Sequence, residues 1–156
     1  MSKTTIKAIR YHDISTGHRV VGHEGKCRHL HGHNYRIYFY CESEMLDHIG
    51  RVVDFSVIKS HLCQWLEDNW DHRFLAWHKD LLISQAIVSL GSDFRTLEQR
   101  DEFSESIVFV PFNPTAENMA HYLLTHIAPE LMAGTGVVVT KVVIEETRKC
   151  SVEVAL

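Results

Sequence analysis

The spacing of apolar residues along the chain predicts two strands near its start. Alternation over residues 33–42 predicts a strand that buries every second side chain, namely Tyr35, Ile37, Phe39 and Cys41. A mixture of β-branched and aromatic residues over residues 4–13 predicts an earlier strand, antiparallel to it. A loop rich in glycine and histidine, residues 15–30, is expected to join the two strands.

Helical spacing replaces this alternation further along the chain. Apolar residues recur every three to four positions from Asp54 to about Asp68, which predicts a first helix. A shorter helix is predicted from Leu81 to Leu90. A third is predicted to start with Asn113 as its cap and Pro114 in its first turn, and to close at Pro129.

The remaining segments complete an α+β pattern. Residues 91–106 are polar and are expected to be irregular, Ile107–Val110 is expected to be a short strand, and residues 137–147 and 151–154 are expected to form a closing hairpin. The order predicts an antiparallel sheet with helices packed on one face. We expect residues 1–156 to form one domain, with an insertion at about residues 76–110.

Composition and charge narrow the functional class. The chain has 156 residues, 45% of them hydrophobic, and a net charge of −4, which does not favour a nucleic-acid partner. No apolar run approaches the length of about 20 residues that a membrane span needs. The first residues lack the apolar core of a signal peptide, so we expect a cytoplasmic protein whose four separated cysteines stay reduced.

The main chemical signal is the sequence His31-Gly32-His33 at the start of the second predicted strand. Alternation along a strand places both imidazoles on one face, where they can bind one metal ion. A catalytic zinc needs a third ligand, and His18 is our choice, with His12, His23 and His29 as rivals. The alternative is that these histidines are hydrogen-bonded or surface residues. A structural zinc finger is disfavoured because Cys27 has no cysteine partner at finger spacing.

Each of the other candidate residues has a structural interpretation as well as a functional one. Cys27 is either a thiol that acts beside the metal or a small buried apolar residue. Asp71-His72 is either a proton-transfer pair or a hydrogen-bonded pair at a helix end. Glu146 is either a ligand-binding carboxylate or a solvated charge at a strand end, and Thr115 is either a pocket residue or a helix cap.

Several segments, in this order, resemble the 6-pyruvoyl-tetrahydropterin synthase and 6-carboxytetrahydropterin synthase family. Each is weak alone, but together they are specific and span about residues 5–150. They are Gly17-His18-Arg19, Cys27-x-x-x-His31-Gly32-His33-Asn34-Tyr35, Val53-Asp54-Phe55, Asp71-His72, Pro114-Thr115-Ala116-Glu117-Asn118 and Glu146-Thr147.

The resemblance implies a fold and an assembly. The family has the tunnelling fold, or T-fold, in which a sheet with helices on one face is closed into a barrel by oligomerisation. The barrel forms from trimers, and two trimers stack into a homo-hexamer. Active sites lie between subunits, so Asp71 and His72 are expected to reach a neighbour's pocket.

The resemblance also implies a role for each candidate residue. It assigns the zinc ion to His18, His31 and His33, and it makes Cys27 the catalytic thiol. It also implies that Asp71 and His72 form a proton relay with Cys27. Glu146 and Thr115 are implied to anchor the pterin ring.

The substrate implied by the resemblance is 7,8-dihydroneopterin triphosphate. Three residues separate Cys27 from His31, which is similar to the 6-carboxytetrahydropterin synthases of queuosine biosynthesis. We therefore expect a zinc-dependent lyase that releases 6-carboxytetrahydropterin, acetaldehyde and triphosphate. The alternatives are a 6-pyruvoyl enzyme and a non-catalytic pterin- or metal-binding protein.

Two segments depart from the family pattern. The stretch between His72 and Pro114 is longer than is usual, and Arg148-Lys149-Cys150 lacks the expected small residues. The triphosphate-binding residues stay open, with Arg19, Lys26 and Arg28 as candidates.

Overall fold

A six-stranded sheet organises the computed structural model, which describes residues 3–91 and 93–156. The strands are β1 (Ala8–His18), β2 (His31–Ser43), β3 (Phe74–Trp77), β4 (Ile107–Val110), β5 (Val137–Glu145) and β6 (Ser151–Ala155). Their order across the sheet is β4-β3-β1-β2-β5-β6.

One face of the sheet carries the apolar core. The alternation predicted in β2 is confirmed, because Tyr35, Ile37, Phe39 and Cys41 are all buried. The residues of β5 with the same orientation, Val142 and Ile144, are buried beside them. The core face therefore extends across the central strands, and it continues towards the ends of β1 and β2 that carry the histidines.

Two long helices cover this face, and each contains a π-helical turn. The first, α1, runs through Phe55–Ile58, the π turn Lys59–Cys63 and Gln64–Asn69, and Asp54 caps it by accepting the Ser56 N–H. The predicted helix from Asp54 to about Asp68 is thereby confirmed. Among residues 3–91 and 93–156 we find no helix with the length and apolar character needed to cross a membrane.

The last helix, α4, differs from its prediction at both ends. It consists of two α-helical segments, Ala116–Tyr122 and Ala128–Leu131, with the π turn Leu123–Ile127 between them. Its cap is Thr115, which agrees with the helix-cap interpretation of that residue and not with Asn113 as the cap, because the Thr115 hydroxyl accepts the Asn118 N–H. The helix also continues past Pro129. The π turn before that proline widens the helix where its ring would otherwise crowd the preceding turn.

The sheet is mixed, and not antiparallel throughout as expected. Strands β1, β2, β5 and β6 are antiparallel neighbours, but β3 pairs parallel with β1 and β4 pairs parallel with β3. The sequence reading missed β3, since four consecutive apolar residues carry no alternation. The long segment after β3 is the crossover that a parallel strand pair requires.

The crossover contains two helices, α2 (Leu81–Gly91) and α3 (Leu97–Glu105). The prediction of α2 is confirmed, but the polar segment after it is not irregular throughout as expected, because residues 97–105 form α3. No residue of α3 is buried, so it has no apolar stripe that could predict it. The sequence signal was the Thr96-x-x-Gln99 spacing of a capping box. The Thr96 hydroxyl accepts the Gln99 N–H, and the Gln99 side chain accepts the N–H of Arg95, the residue before the cap.

The first two strands also reach further than predicted. β1 ends at His18 and β2 begins at His31, so the loop between them is residues 19–30, which is shorter than the expected loop of residues 15–30 at its first end only. In the register of this pair, His18 lies opposite His31, Gly17 opposite Gly32, and Thr16 opposite His33.

Candidate metal centre and active site

Three histidines meet where the paired strands β1 and β2 end. His18 and His31 are directly opposite in the register, and His33 follows two residues later on the same face. One nitrogen atom from each ring can be chosen so that all three lie within 4.8 Å of one another. The structure therefore brings together the three residues predicted as metal ligands.

Backbone carbonyls orient two of these rings. His18 Nδ1 lies 2.6 Å from the Pro114 carbonyl oxygen, and His31 Nδ1 lies 2.7 Å from the His29 carbonyl oxygen. A carbonyl only accepts, so each Nδ1 must carry the proton and each Nε2 of the neutral ring is left with a lone pair. These two Nε2 atoms are 3.1 Å apart, and a shared cation would satisfy both.

The third ring has an unsatisfied nitrogen. Among the described residues, His33 Nε2 is buried without a hydrogen-bond partner. The Glu146 carboxylate lies 3.6 Å from this atom and 3.8 Å from His18 Nε2. Three imidazoles with lone pairs turned to one point match the protein ligands of a catalytic zinc site, so the residues fit the metal that the resemblance implies.

Burial favours the neutral form of two of these imidazoles, His18 and His33. It lowers the pKa of His18 to about 4, with smaller contributions from His31 and His33, against a hydrogen bond to Pro114 that raises it. Burial also lowers the pKa of His33, although the Glu146 charge opposes this shift. Neutral rings are the form that binds metal.

The depressed pKa of His18 predicts a pH dependence of stability in metal-free protein. Below pH 6.5 the unfolded chain binds a proton at His18, but the folded chain does so only near pH 4. Stability is therefore expected to fall as the pH drops through this window, by about 3 kcal/mol. Urea unfolding at several pH values measures it. His18→Gln should flatten the profile in this window, and an unchanged profile would contradict the assignment.

Close backbone contact between the two strands makes Gly32 necessary. A methyl group at Gly32 would lie 3.0 Å from the Thr16 carbonyl oxygen and 3.4 Å from Gly17 Cα. We expect Gly32→Ala to lower the free energy of unfolding by roughly 1–3 kcal/mol and to weaken metal binding. Gly91→Ala is the control, because nothing lies within 4 Å of its added methyl group. Equal denaturation midpoints for the two variants would refute the strand contact.

A cavity of about 370 Å³ lies beside the three-histidine cluster and contains three of the predicted site residues. Cys27, Thr115 and Glu146 line it together, with His23 and Cys150 among the other lining residues. Cys27 is half-buried on a short 3-10 turn, Lys26–Arg28, and its carbonyl accepts the Val20 N–H at 2.8 Å. The thiol, the carboxylate and the hydroxyl can therefore all contact one ligand.

The start of α4 supports this cavity. Pro114 orients His18 through its carbonyl, and Thr115 follows it as the helix cap. The Asn113 side chain accepts the Val21 N–H at 3.0 Å and donates to the Val21 carbonyl at 2.9 Å. This clamp holds the loop after β1 against α4. The sequence reading missed the role of Asn113, because backbone recognition by a side chain leaves no spacing pattern.

Asp71 and His72 lie apart from the cavity of Cys27. They line a neighbouring cavity of about 780 Å³, which also contains Glu146. His72 Nδ1 is 2.8 Å from Asp71 Oδ2, and the His72 side chain is 76% exposed at a backbone φ of 56°. Burial would raise the pKa of Asp71, but hydrogen bonds from Ser15 and His72 outweigh it and lower the pKa. Within one chain, Glu146 is therefore shared by both cavities.

Comparison with known proteins places this geometry in a family. The family profile described as 6-pyruvoyl tetrahydropterin synthase matches residues 8–155. The 6-carboxy-5,6,7,8-tetrahydropterin synthase of Rickettsia bellii is 34% identical over 149 residues, which cover 96% of this chain and 99% of the relative. The protein of that name from Haemophilus influenzae is 29% identical over 124 residues, covering 78% and 81%.

Solved structures show the same fold. An uncharacterized protein of Wolinella succinogenes superposes with a TM-score of 0.82 at 26% identity, covering 98% of this chain and 99% of that one. The 6-pyruvoyl tetrahydropterin synthase of Caenorhabditis elegans superposes with a TM-score of 0.65 at 22% identity, covering 98% and 96%. These superpositions confirm the predicted tunnelling fold for the single chain. The profile match and the full-length relatives show that the chain belongs to the 6-pyruvoyl tetrahydropterin synthase family.

Proposed function

We propose that the protein is a 6-carboxy-5,6,7,8-tetrahydropterin synthase of queuosine biosynthesis, acting in the cytoplasm. It converts 7,8-dihydroneopterin triphosphate and one water molecule to 6-carboxytetrahydropterin, acetaldehyde and triphosphate. The observation that carries the proposal is the cavity shared by Cys27, Thr115 and Glu146 beside the three-histidine cluster. The names of the relatives and the spacing of three residues between Cys27 and His31 favour the carboxy over the pyruvoyl enzyme.

The proposed cofactor is a zinc ion held by His18, His31 and His33. The donor set supports this choice, since all three nitrogen atoms can be free of protons and lie within 4.8 Å of one another. When bound, zinc would supply Lewis acidity that makes the side-chain hydroxyl groups of the substrate more acidic.

Cys27 is the proposed base that removes a proton from a carbon atom of the substrate side chain. The active form of a cysteine base is its thiolate. Cys27 lies between Lys26 and Arg28 in the same short turn. The half-buried position leaves the sulfur accessible from the cavity while it limits competition from water.

Asp71 and His72 are the proposed proton shuttle. The hydrogen bond between Asp71 Oδ2 and His72 Nδ1 orients the ring. His72 Nε2 remains on the exposed side of the ring, where it can exchange a proton with a substrate group. Because the pair lines a different cavity from Cys27 in one chain, we propose that it serves the pocket of a neighbouring subunit.

Glu146 and Thr115 are the proposed anchors for the pterin ring. A carboxylate can accept paired hydrogen bonds from the amino and ring N–H groups of a pterin, so Glu146 selects that edge by geometry. The Thr115 oxygen accepts the Asn118 N–H, and its own O–H is left to donate to a ligand.

The proposed assembly is a homo-hexamer made of two trimers. Strand β6 forms one edge of the sheet, and β1 pairs with β3 only at Gly17 and His18. Most of one side of β1 is therefore available for another strand. Pairing of β6 of one copy with this side of β1 in the next copy would cover the unpaired backbone groups of both strands.

Product analysis tests the proposed reaction. Purified protein incubated with 7,8-dihydroneopterin triphosphate is expected to release acetaldehyde and 6-carboxytetrahydropterin in equal amounts. Formation of 6-pyruvoyltetrahydropterin without acetaldehyde would assign the pyruvoyl activity. Tight binding of the substrate without any product would instead support a non-catalytic pterin-binding protein.

A further inference from the structure

Arg19 makes a two-pronged ion pair with a buried carboxylate. Its Nε donates to Asp80 Oδ2 at 2.6 Å and its Nη2 donates to Asp80 Oδ1 at 2.8 Å. Asp80 is 2% exposed, and the Arg19 side chain is 15% exposed. The guanidinium is therefore engaged within the protein, which removes Arg19 from the candidates for triphosphate binding.

The same guanidinium also holds the turn that carries Cys27. Arg19 Nη1 donates to the Arg28 carbonyl oxygen at 2.9 Å. The preceding carbonyl, that of Cys27, accepts the Val20 N–H at 2.8 Å. Two consecutive residues after His18 thus bind two consecutive carbonyls of the turn, so the position of Cys27 is coupled to the end of β1.

Asp80 is itself a fixed point at the start of α2. Its N–H donates to the Trp77 carbonyl at 2.8 Å, and its Oδ1 accepts the Leu82 N–H at 3.2 Å. Its carbonyl accepts the Ser84 N–H at 3.2 Å. The backbone of Asp80 is therefore fixed by β3 on one side and by α2 on the other, and its carboxylate holds Arg19 in place.

We propose that Arg19 and Asp80 are positioning residues, which act through the Arg28 carbonyl to hold the Cys27 thiol at the cavity wall. The long crossover between β3 and β4 then contributes to the active site by supplying Asp80. Only arginine meets these demands, since its planar fork binds both carboxylate oxygens and still donates to a carbonyl. The proposal rests on the proposed role of Cys27 as the base.

The test compares Asp80→Asn with the wild-type protein, and uses Asp47→Asn as the matched control. Asp47 also pairs with an arginine, Arg51, at 2.8 Å, but it lies outside both cavities. Asp80→Asn is expected to lower kcat by about 10²-fold with little change in KM, because small misplacements of a reacting group cost rates of this order. Asp47→Asn should leave kcat unchanged.

Alkylation gives a readout that needs no substrate. Iodoacetamide labelling, resolved by mass spectrometry, is expected to be severalfold faster at Cys27 in Asp80→Asn, because the turn is released, and unchanged at the exposed Cys150. Faster labelling with lower kcat supports positioning. Unchanged labelling of Cys27, or a kcat loss that only follows the unfolded fraction, overturns it.

Two further results are interpretable in the same experiment. If Asp80→Asn does not fold, Arg19→Lys keeps the charge but loses the fork, and the same two measurements apply to it. If the wild-type protein shows no turnover, the proposed function fails. The labelling of Cys27 still decides whether the ion pair positions the thiol.

Discussion

His31→Ala is expected to abolish stoichiometric zinc binding and to lower turnover by at least about 10³-fold, which corresponds to the loss of several kcal/mol of charge stabilisation. His31 contributes the Nε2 that faces His18 Nε2 at 3.1 Å, and its Nδ1 is already committed to the His29 carbonyl. Removing the ring leaves two imidazoles, which is one fewer than catalytic zinc sites use. Elemental analysis of the purified protein and the acetaldehyde assay measure the two effects.

His29→Ala is the matched control for this substitution. The side chain of His29 is exposed, and its contact with His31 is made through the backbone carbonyl, which alanine keeps. It should therefore retain about one zinc per chain, as expected for a single catalytic site. Full zinc content in His31→Ala, or zinc loss confined to His29→Ala, would assign the proposed ligand role of His31 to another histidine.

Cys27→Ala is expected to lower kcat by roughly 10²–10⁴-fold, the range that a general base contributes. The metal content and the melting temperature should stay close to those of the wild type, because the side chain is only half-buried and lies outside the three-histidine cluster. The acetaldehyde assay, elemental analysis and thermal unfolding together separate loss of the base from loss of the site.

Cys150→Ala provides the comparison for Cys27. This second cysteine lines the same cavity but is exposed, and it follows the turn after Glu146. Its substitution should reduce kcat far less than that of Cys27. If Cys150→Ala were the inactive variant and Cys27→Ala retained full turnover, the base would have to be reassigned to Cys150.

The parts of the fold that were predictable are those in which a periodic apolar face is buried. β2 and α1 have such faces, so their positions follow from spacing alone. β3 is too short to show a period, and α3 buries nothing. Parallel pairing of β3 depends on a partner far along the chain, which no local pattern encodes.

The candidate site also has a part that could be predicted from the sequence and a part that could not. His31 and His33 are close in sequence, so strand alternation predicts that they share a face. The placement of His18 opposite His31 depends on β1 extending five residues beyond its predicted end. The carbonyl of Pro114 and the carboxylate of Asp80 reach the site through tertiary contacts. No spacing pattern in the sequence marks either position as part of a site.

The contact between His18 and Pro114 has a consequence for how the protein is made. It joins residues 96 positions apart, and the clamp between Val21 and Asn113 joins residues 92 apart. Contacts of such separation form late, because the long loop must close before they repay its entropy. A growing polypeptide thus exposes its histidine pair well before residue 114 is synthesised. Completion of the three-histidine cluster therefore belongs to the final stage of folding, after nearly three quarters of the chain has been translated.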